Sequence, residues 1–354
     1  MPGQGWTKEQ KSIIQRLFPS ANNTRADILT AVNAAGPERS WDAIVHHASR
    51  VLGLKREWRH AWERDWESPL VKPRRLNVEW TWPQKSGWHE RRILFVPDIH
   101  FPWQEGACLW ILRRIIEDWQ PHGVCVMGDL LDAYHLSGFG KDPDWEATLD
   151  DELSQARGFL SWIKRTVPDA KVIYCEGNHE QRWDKFLAND GRAIASLHDK
   201  HGVQYMSVPA LLGLQERGII YLQYNRDWLT VFGVRVIHGK RYNLNAAKQN
   251  IDWYHRSGVS GHSHRLETRH KTVEGKVLTW IQGGCLCSGW PEYVESPDWQ
   301  HGFAVATLRE GYEEMGPFLQ EVPINQGVAW FGGEVYDGRK VATMLDMPLE
   351  RVIV

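Results

Sequence analysis

Five apolar runs in this chain each stop at a cluster of metal-ligating side chains, and no other feature constrains the fold as tightly. The first, Arg91-Arg92-Ile93-Leu94-Phe95-Val96, ends at Pro97-Asp98-Ile99-His100-Phe101-Pro102. An apolar run closed by proline reads as a buried strand stopping at its C-terminal end. In α/β sheets that end is where ligands sit. Asp98 and His100 are two apart, so on a strand their side chains point the same way. A hard anionic oxygen beside a neutral nitrogen can grip one face of a divalent ion. Alone, the pair is weak evidence, because Asp-x-His arises by chance in many chains.

Four further strand ends follow in order. Val124-Cys125-Val126-Met127 leads into Gly128-Asp129-Leu130-Leu131-Asp132, and Lys171-Val172-Ile173-Tyr174-Cys175 leads into Gly177-Asn178-His179-Glu180. Val234-Arg235-Val236-Ile237 leads into His238-Gly239, and Gly258-Val259-Ser260 leads into Gly261-His262-Ser263-His264. Taken singly, such motifs read as a turn with a satisfied core histidine. The ordered series D-x-H, G-D-x-x-D, G-N-H-E, H, G-H-x-H resembles the calcineurin-like metallophosphoesterases, over about residues 90–310.

The resemblance implies an α/β fold: a two-sheet αββα sandwich with helices on both outer faces. It also implies two divalent metal ions and hydrolysis of phosphate esters. Carried over residue by residue, it places Asp98, His100 and His264 on the first metal, with Asp129 bridging. Asn178, His238 and His262 fall on the second, and a hydroxide held between the ions is the nucleophile. Two such ions neutralise the phosphate and acidify a water. His179 is not a ligand in the family; it is placed to protonate the leaving oxygen or to bind the phosphoryl group. Asp132 stands behind, orienting a histidine or its loop. The mixed nitrogen and oxygen donors fit Mn²⁺, Fe or Zn²⁺ better than Ca²⁺. His135 and His255 carry no assigned role; His301, near Trp299 and Gly302, is a candidate for the cleft wall.

One departure bears on the substrate. Phosphoprotein phosphatases of this superfamily carry an arginine directly after the second motif and another directly before the glycine of G-N-H-E. Ala133 and Glu176 occupy those places. The arginine clamp for a phosphomonoester dianion is missing, and Arg182 and Arg265, close to the motifs, are partial substitutes for substrate binding. A monoanionic diester needs less positive charge, so a phosphodiesterase or nuclease acting on DNA is favoured. The rivals are a small-nucleotide phosphodiesterase or pyrophosphatase, a nucleic-acid end phosphatase, and a DNA-binding protein with a vestigial metal site. Complete motif positions argue against the last.

At 354 residues the chain exceeds one compact domain, so a catalytic core with appendages is expected. Residues 1–67 read as a small helical module. Thr7-Lys8-Glu9-Gln10 is a capping box, with Ile13, Ile14 and Leu17 at helical spacing. Thr24 opens a second helix with Ile28, Leu29 and Val32 inward, and Ser40 caps a third, Trp41 to Leu52, closed by Gly53. Trp41, Ile44, Val45, Ala48 and Leu52 share its inner face. The module resembles Myb/SANT-like helix-turn-helix units found beside phage and bacterial DNA enzymes. That implies a third helix able to enter a DNA groove, with Lys55 and Arg56 on phosphates and Arg39 and Arg50 turned outward. Residues 1–65 carry ten Lys and Arg against seven Asp and Glu, a weak electrostatic footprint. A protein-binding or packing module is the alternative.

Residues 68–89 read as linker, with Ser68 to Arg75 its proline-bearing part, and the core begins near Leu76. The phosphoesterase domain is assigned to 90–320. Helices are expected over 107–119, 145–166 and Pro209 to Leu212, with short strands from Phe232 onward. Residues 321–336 alternate weakly as added strands, and the tail ends apolar at Val352-Ile353-Val354. The net charge of −2 excludes a strongly basic body. Five cysteines, an odd number, read as reduced core residues of a cytoplasmic protein, and Cys285-Leu286-Cys287 lacks the partner pair of a zinc site. No run reaches membrane-spanning length. The 20 tryptophans fill a core or, for a few, stack on bases; Trp58, Trp62 and Trp66 form a stripe at helical spacing.

Overall fold

The computed structural model describes residues 5–19, 25–52, 54, 76–81, 89–138, 146–198, 204–288 and 298–339. The chain divides into two compact units, Met1–Arg74 and Arg75–Val354. Thr24, Gly53, Lys55, Arg56, Ser68 to Arg75, the tryptophans at 58, 62 and 66, and the apolar tail lie outside the described residues.

The first unit contains α1 (Lys8–Leu17), α2 (Arg25–Ala34) and α3 (Trp41–His46), the last continuing as a wider π turn, His47–Val51. The Thr7 hydroxyl accepts from the Gln10 N–H while the Gln10 side chain reaches back to Thr7, the expected capping box. Ser40 caps α3 through the Ala43 N–H. Ile14, Phe18, Ile28, Val32, Ile44 and Ala48 form the buried core. Fully buried Gln10 donates to the Val32 and Pro37 carbonyls, tying α1 to the turn between the other two helices.

The second unit runs β1 (Asn77–Trp80), β2 (Glu90–Val96), α4 (Gly106–Trp119), β3 (Gly123–Val126), α5 (Leu149–Thr166) and β4 (Lys171–Cys175). Next come α6 (Gln181–Asn189), α7 (Arg192–Ala195), α8 (Val208–Leu211), β5 (Ile220–Leu222), β6 (Trp228–Val231) and β7 (Val234–Ile237). The chain continues with α9 (Ala246–Tyr254), β8 (Gly258–Ser260), β9 (Leu266–Val273), β10 (Lys276–Gly283) and β11 (His301–Arg309). It closes with β12 (Phe318–Asn325), β13 (Val328–Phe331) and β14 (Glu334–Asp337). One sheet has the order β14-β13-β12-β11-β2-β3-β4-β5, the other β1-β6-β7-β8-β10-β9.

The apolar runs are continuous because both faces of the larger sheet are covered. Along β2, Leu94 and Val96 join the core beneath α4 and α5, while Ile93 and Phe95 face the inter-sheet core. β3 and β4 alternate the same way: Val124, Val126, Val172 and Tyr174 on the helix side, Cys125, Met127, Ile173 and Cys175 between the sheets. On the outer face of the smaller sheet, Ala247 and Ile251 of α9 pack on Trp280. This is the αββα sandwich that the motif series implied.

Three boundaries differ from the sequence reading. The span 68–89 is not all linker: β1 pairs in parallel with β6, Asn77 opposite Trp228 and Trp80 opposite Val231. Trp80 packs on Phe232 at 5.3 Å between ring centroids, so this strand is held by partners about 150 residues away that local composition does not reveal. The domain edge at 320 falls inside β12, which pairs with β11 and carries β13 and β14 as an extension of the same sheet. The region after Phe232 is not strands alone, since α9 interrupts it.

Candidate metal centre

The five strand ends converge. Each motif leaves its strand through a tight, often left-handed turn: φ is positive at His100, Asp129, His262 and His264. Backbones approach so closely that a β-carbon on Gly177 would lie 2.0 Å from Asp129 Oδ1, and one on Gly261 2.2 Å from Asp98 Oδ2. Only glycine lets these loops pass the carboxylates.

Asp98 and Asp129 are almost fully buried. Asp98 accepts the His262 N–H on both oxygens at 3.0 Å, and its Oδ1 lies 3.3 Å from His264 Nε2. Asp129 accepts the His179 N–H on Oδ1 at 2.9 Å, and its Oδ2 is 3.3 Å from His238 Nε2 and 3.7 Å from His100 Nε2. Asp98, His100 and Asp129 form one group able to hold an ion, and Asp129, His238 and His262 form another. Asp129 belongs to both. Asn178 Oδ1 stands 2.8 Å from His238 Nε2.

The tautomers follow from the outer partners. His238 Nδ1–H donates to the Met127 carbonyl at 3.0 Å, and His100 Nδ1–H to Asp132 Oδ2 at 3.0 Å. Their Nε2 lone pairs therefore point inward, at carboxylate and amide oxygens and, for His100, at His264 Nε2 3.1 Å away. Acceptors facing acceptors with no donor between them call for a cation. Without an ion, a proton takes that place on His238. Burial pushes His238 down, yet the Asp129 carboxylate outweighs it and raises the imidazole to about 9. Burial also raises Asp129, but His238 and His179 hold it well below the usual carboxylate range. The donor set thus fits a pair of divalent ions sharing Asp129.

His179 and Asp132 stand beside this cluster. His179 Nδ1–H donates to the Asp132 carbonyl at 2.9 Å, leaving Nε2 3.9 Å from Asp129 Oδ2. Arg182 donates to the same carbonyl at 2.9 Å and to His179 Nε2 at 3.1 Å. Burial lowers the His179 pKa, but the Asp129 and Asp132 carboxylates more than offset that and leave it raised. Arg265 is not part of the cluster: its guanidinium is taken by Asp298 at 3.1 Å and the Tyr242 carbonyl at 2.6 Å. In the helical unit Arg50 is exposed, whereas Arg39 is half-buried over the Trp6 ring and donates to the Gly5 carbonyl. His301 donates to the Cys287 carbonyl.

Sequence reasoning missed three contributors. Glu180, the last residue of the third motif, is fully buried and accepts from the backbone N–H groups of Asp129, Leu131 and Gly177. Cys287, discounted as part of a lone C-x-C, places Sγ 4.0 Å from His264 Nδ1 and groups with His100 and His264. Glu152, from α5, accepts the N–H groups of Ala133 and Tyr134 and so holds the loop after Asp132. Only Glu180 lay inside a recognised motif.

Burial, then the nearby Asp132 carboxylate, pushes Glu152 up to about 8, against the two N–H donors that pull it down. Its folded-state pKa lies above its unfolded one, so folding favours the protonated form. The contribution of Glu152 to stability is full below about pH 4.5 and is lost as pH rises through about 8. Urea midpoints measured between pH 5 and pH 8.5 are expected to fall less steeply in Glu152→Gln than in the wild type.

Residues 91–299 match the model of the calcineurin-like phosphoesterase family. The chain is similar to the Gene 54 protein of Mycobacterium phage D29, 25% identical over 234 residues that cover 62% of this chain and 89% of that protein. It is also similar to the Gene 54 protein of Mycobacterium phage L5, 27% identical over 267 residues that cover 70% and 99% of the two. Among solved structures, Vacuolar Protein Sorting 29 from Cryptosporidium parvum overlays with a TM-score of 0.37 at 12% identity, over 71% of this chain and 100% of that one.

Proposed function

The chain belongs to the calcineurin-like phosphoesterase family, a metal-dependent phosphoric ester hydrolase, and from that premise we propose that it hydrolyses phosphodiester bonds in DNA. Asp98, His100 and His264 would hold one divalent ion and Asn178, His238 and His262 the other, with Asp129 serving both sets. Mn²⁺, Fe or Zn²⁺ suits these donors. Bound there, the ions neutralise the phosphoryl oxygens and lower the pKa of a water. The protein's own groups do the rest. Asp132 fixes the His100 ring, and His179, its Nδ1–H held on the Asp132 carbonyl and its Nε2 accepting from Arg182, stands with that guanidinium beside the cluster to bind the phosphoryl group.

The observation that carries the diester assignment is the shortage of positive charge. Ala133 is buried against Glu152, and Glu176 accepts from the Tyr221 hydroxyl and the Tyr224 N–H. Among the described residues, the guanidinium hydrogen-bonded within the cluster is that of Arg182. One cation besides the metals matches a monoanionic diester better than a dianionic monoester. With Mn²⁺, turnover of bis(4-nitrophenyl) phosphate is expected to exceed that of 4-nitrophenyl phosphate by at least about tenfold. The reverse preference would remove the diester assignment.

DNA enters the proposal through the helical unit, which resembles helix-turn-helix modules. Among the described residues no helix is long and apolar enough to cross a membrane; separately, all five cysteines are free, and we place the protein's action in a reducing compartment, the cytoplasm. In this reading Arg50, which is exposed, contacts a DNA phosphate. Arg50→Ala is expected to weaken DNA binding several-fold and to reduce the slope of log K against log salt by about one. Anisotropy titrations at several salt concentrations read both; an unchanged slope removes Arg50 from the interface.

A further inference from the structure

His238 borders a second space. A cleft with about 860 Å³ of empty volume, its open mouth included, lies between the turn before β6, the end of β7 and the last turn of α9. Its walls include Tyr224, Trp228, Arg235, Lys240 and Trp253. Arg235 is only 5% exposed. Its neighbours Val234 and Val236 face the inter-sheet core, so it projects from the opposite face of the strand. There its guanidinium lies over the rings of Trp228 (4.2 Å) and Tyr254 (5.9 Å). Its Nε is buried with no hydrogen-bond partner, and among the described residues no carboxylate pairs with it. The charge beside it is a like one, Arg256.

A buried guanidinium without a counter-ion is costly to maintain, and its fork matches a phosphate. Lys240, two residues after His238, is an exposed second cation on the same cleft. The acids in the cleft are already engaged: Glu176 by Tyr221 and Tyr224, Asp227 by the N–H groups of Leu76 and Gln223. Trp228 carries the Arg235 guanidinium on its ring, while Trp253 is 68% exposed, with Arg241 5.5 Å from its ring centre. Aromatic faces beside cations at a groove are the chemistry that holds a base and its phosphate.

We propose that this cleft is a nucleoside-phosphate subsite, taking the nucleotide next to the scissile phosphate, with its phosphate on Arg235 and Lys240 and its base on Trp253. The inference rests on the phosphodiester reading above and deepens it. A strand of DNA and a small nucleotide share this chemistry.

The test is binding of thymidine monophosphate and of fluorescein-labelled dT4 to the full chain in EDTA, where no hydrolysis occurs. Arg235→Gln and Trp253→Ala are each expected to raise the Kd for dT4 about tenfold, the loss of one stacking or phosphate contact. Because Trp253 is exposed, its truncation leaves the fold intact and keeps the test valid if Arg235→Gln destabilises the protein. Both outcomes on ligand size support the subsite: dT4 binding much tighter than the monophosphate makes a strand the source, and equal affinities make it a small nucleotide. Wild-type affinity for dT4 in Trp253→Ala, or in a folded Arg235→Gln, overturns it. If the variants lose binding but the wild type cleaves no diester, the enzymatic reading falls and the subsite stands. If the wild type cleaves DNA and the variants bind as it does, the subsite falls and the enzymatic reading stands.

Discussion

Asp129→Asn lowers phosphodiester turnover by at least about a thousandfold while leaving the fold in place. Charge stabilisation by a metal pair is worth several kcal/mol in the transition state, and each 1.36 kcal/mol is a factor of about ten. Asp129 is shared by the Asp98–His100–Asp129 group and the Asp129–His238–His262 group, so its loss affects both of those positions. The asparagine keeps an oxygen for the His179 N–H, at 2.9 Å in the wild type, and the backbone N–H of residue 129 still donates to Glu180. Structure should therefore survive, as circular dichroism and an unfolding curve will show. Metal content by mass spectrometry should fall in parallel with activity. A folded variant that turns over normally would remove Asp129 from the centre of the account.

Glu180→Ala is expected to destabilise the protein by about 4 kcal/mol, near the upper end for a single substitution. The carboxylate is fully buried and satisfies three backbone N–H groups on the two loops that present Asp129 and Asn178, and it also accepts from the Tyr174 hydroxyl. Each buried donor left without a partner costs about 1–3 kcal/mol. The change also frees the loops, so metal affinity should fall about 10- to 100-fold, as it does when a group supporting the ligands is lost. Urea unfolding without metal reads the first effect and a metal titration the second. A variant with wild-type stability would mean that water replaces the carboxylate at all of these donors.

The strand-end motifs were legible because the physics that makes them is local. A fully buried parallel strand is a short apolar run, and the residues that leave its C-terminal end must be glycines and ligands. Leu94 and Phe95 need no partner in view to be read as buried. What escaped was set at long range. β1 is a strand because β6 supplies its ladder, and its Asn-Val-Glu-Trp sequence sits among prolines and charges. The helix α9 is short, and its Ala247 and Ile251 are held by Trp280 beneath them. Arg265 sits next to a motif residue, yet Asp298 turns it away from the cluster. Glu152 reaches the site from the first turn of α5, a position that sequence spacing does not connect to Ala133. Arg235 lay in a motif strand with no role assigned to it; only the fold shows a charge without a counter-ion.

The most direct measurement uses purified protein, Mn²⁺ and end-labelled single- and double-stranded DNA, with Asp129→Asn as the blank. The account predicts shortened products with the wild type and none with the variant, the ladder showing whether cleavage is from an end or internal. Intact DNA, or release of the terminal phosphate alone, would contradict it.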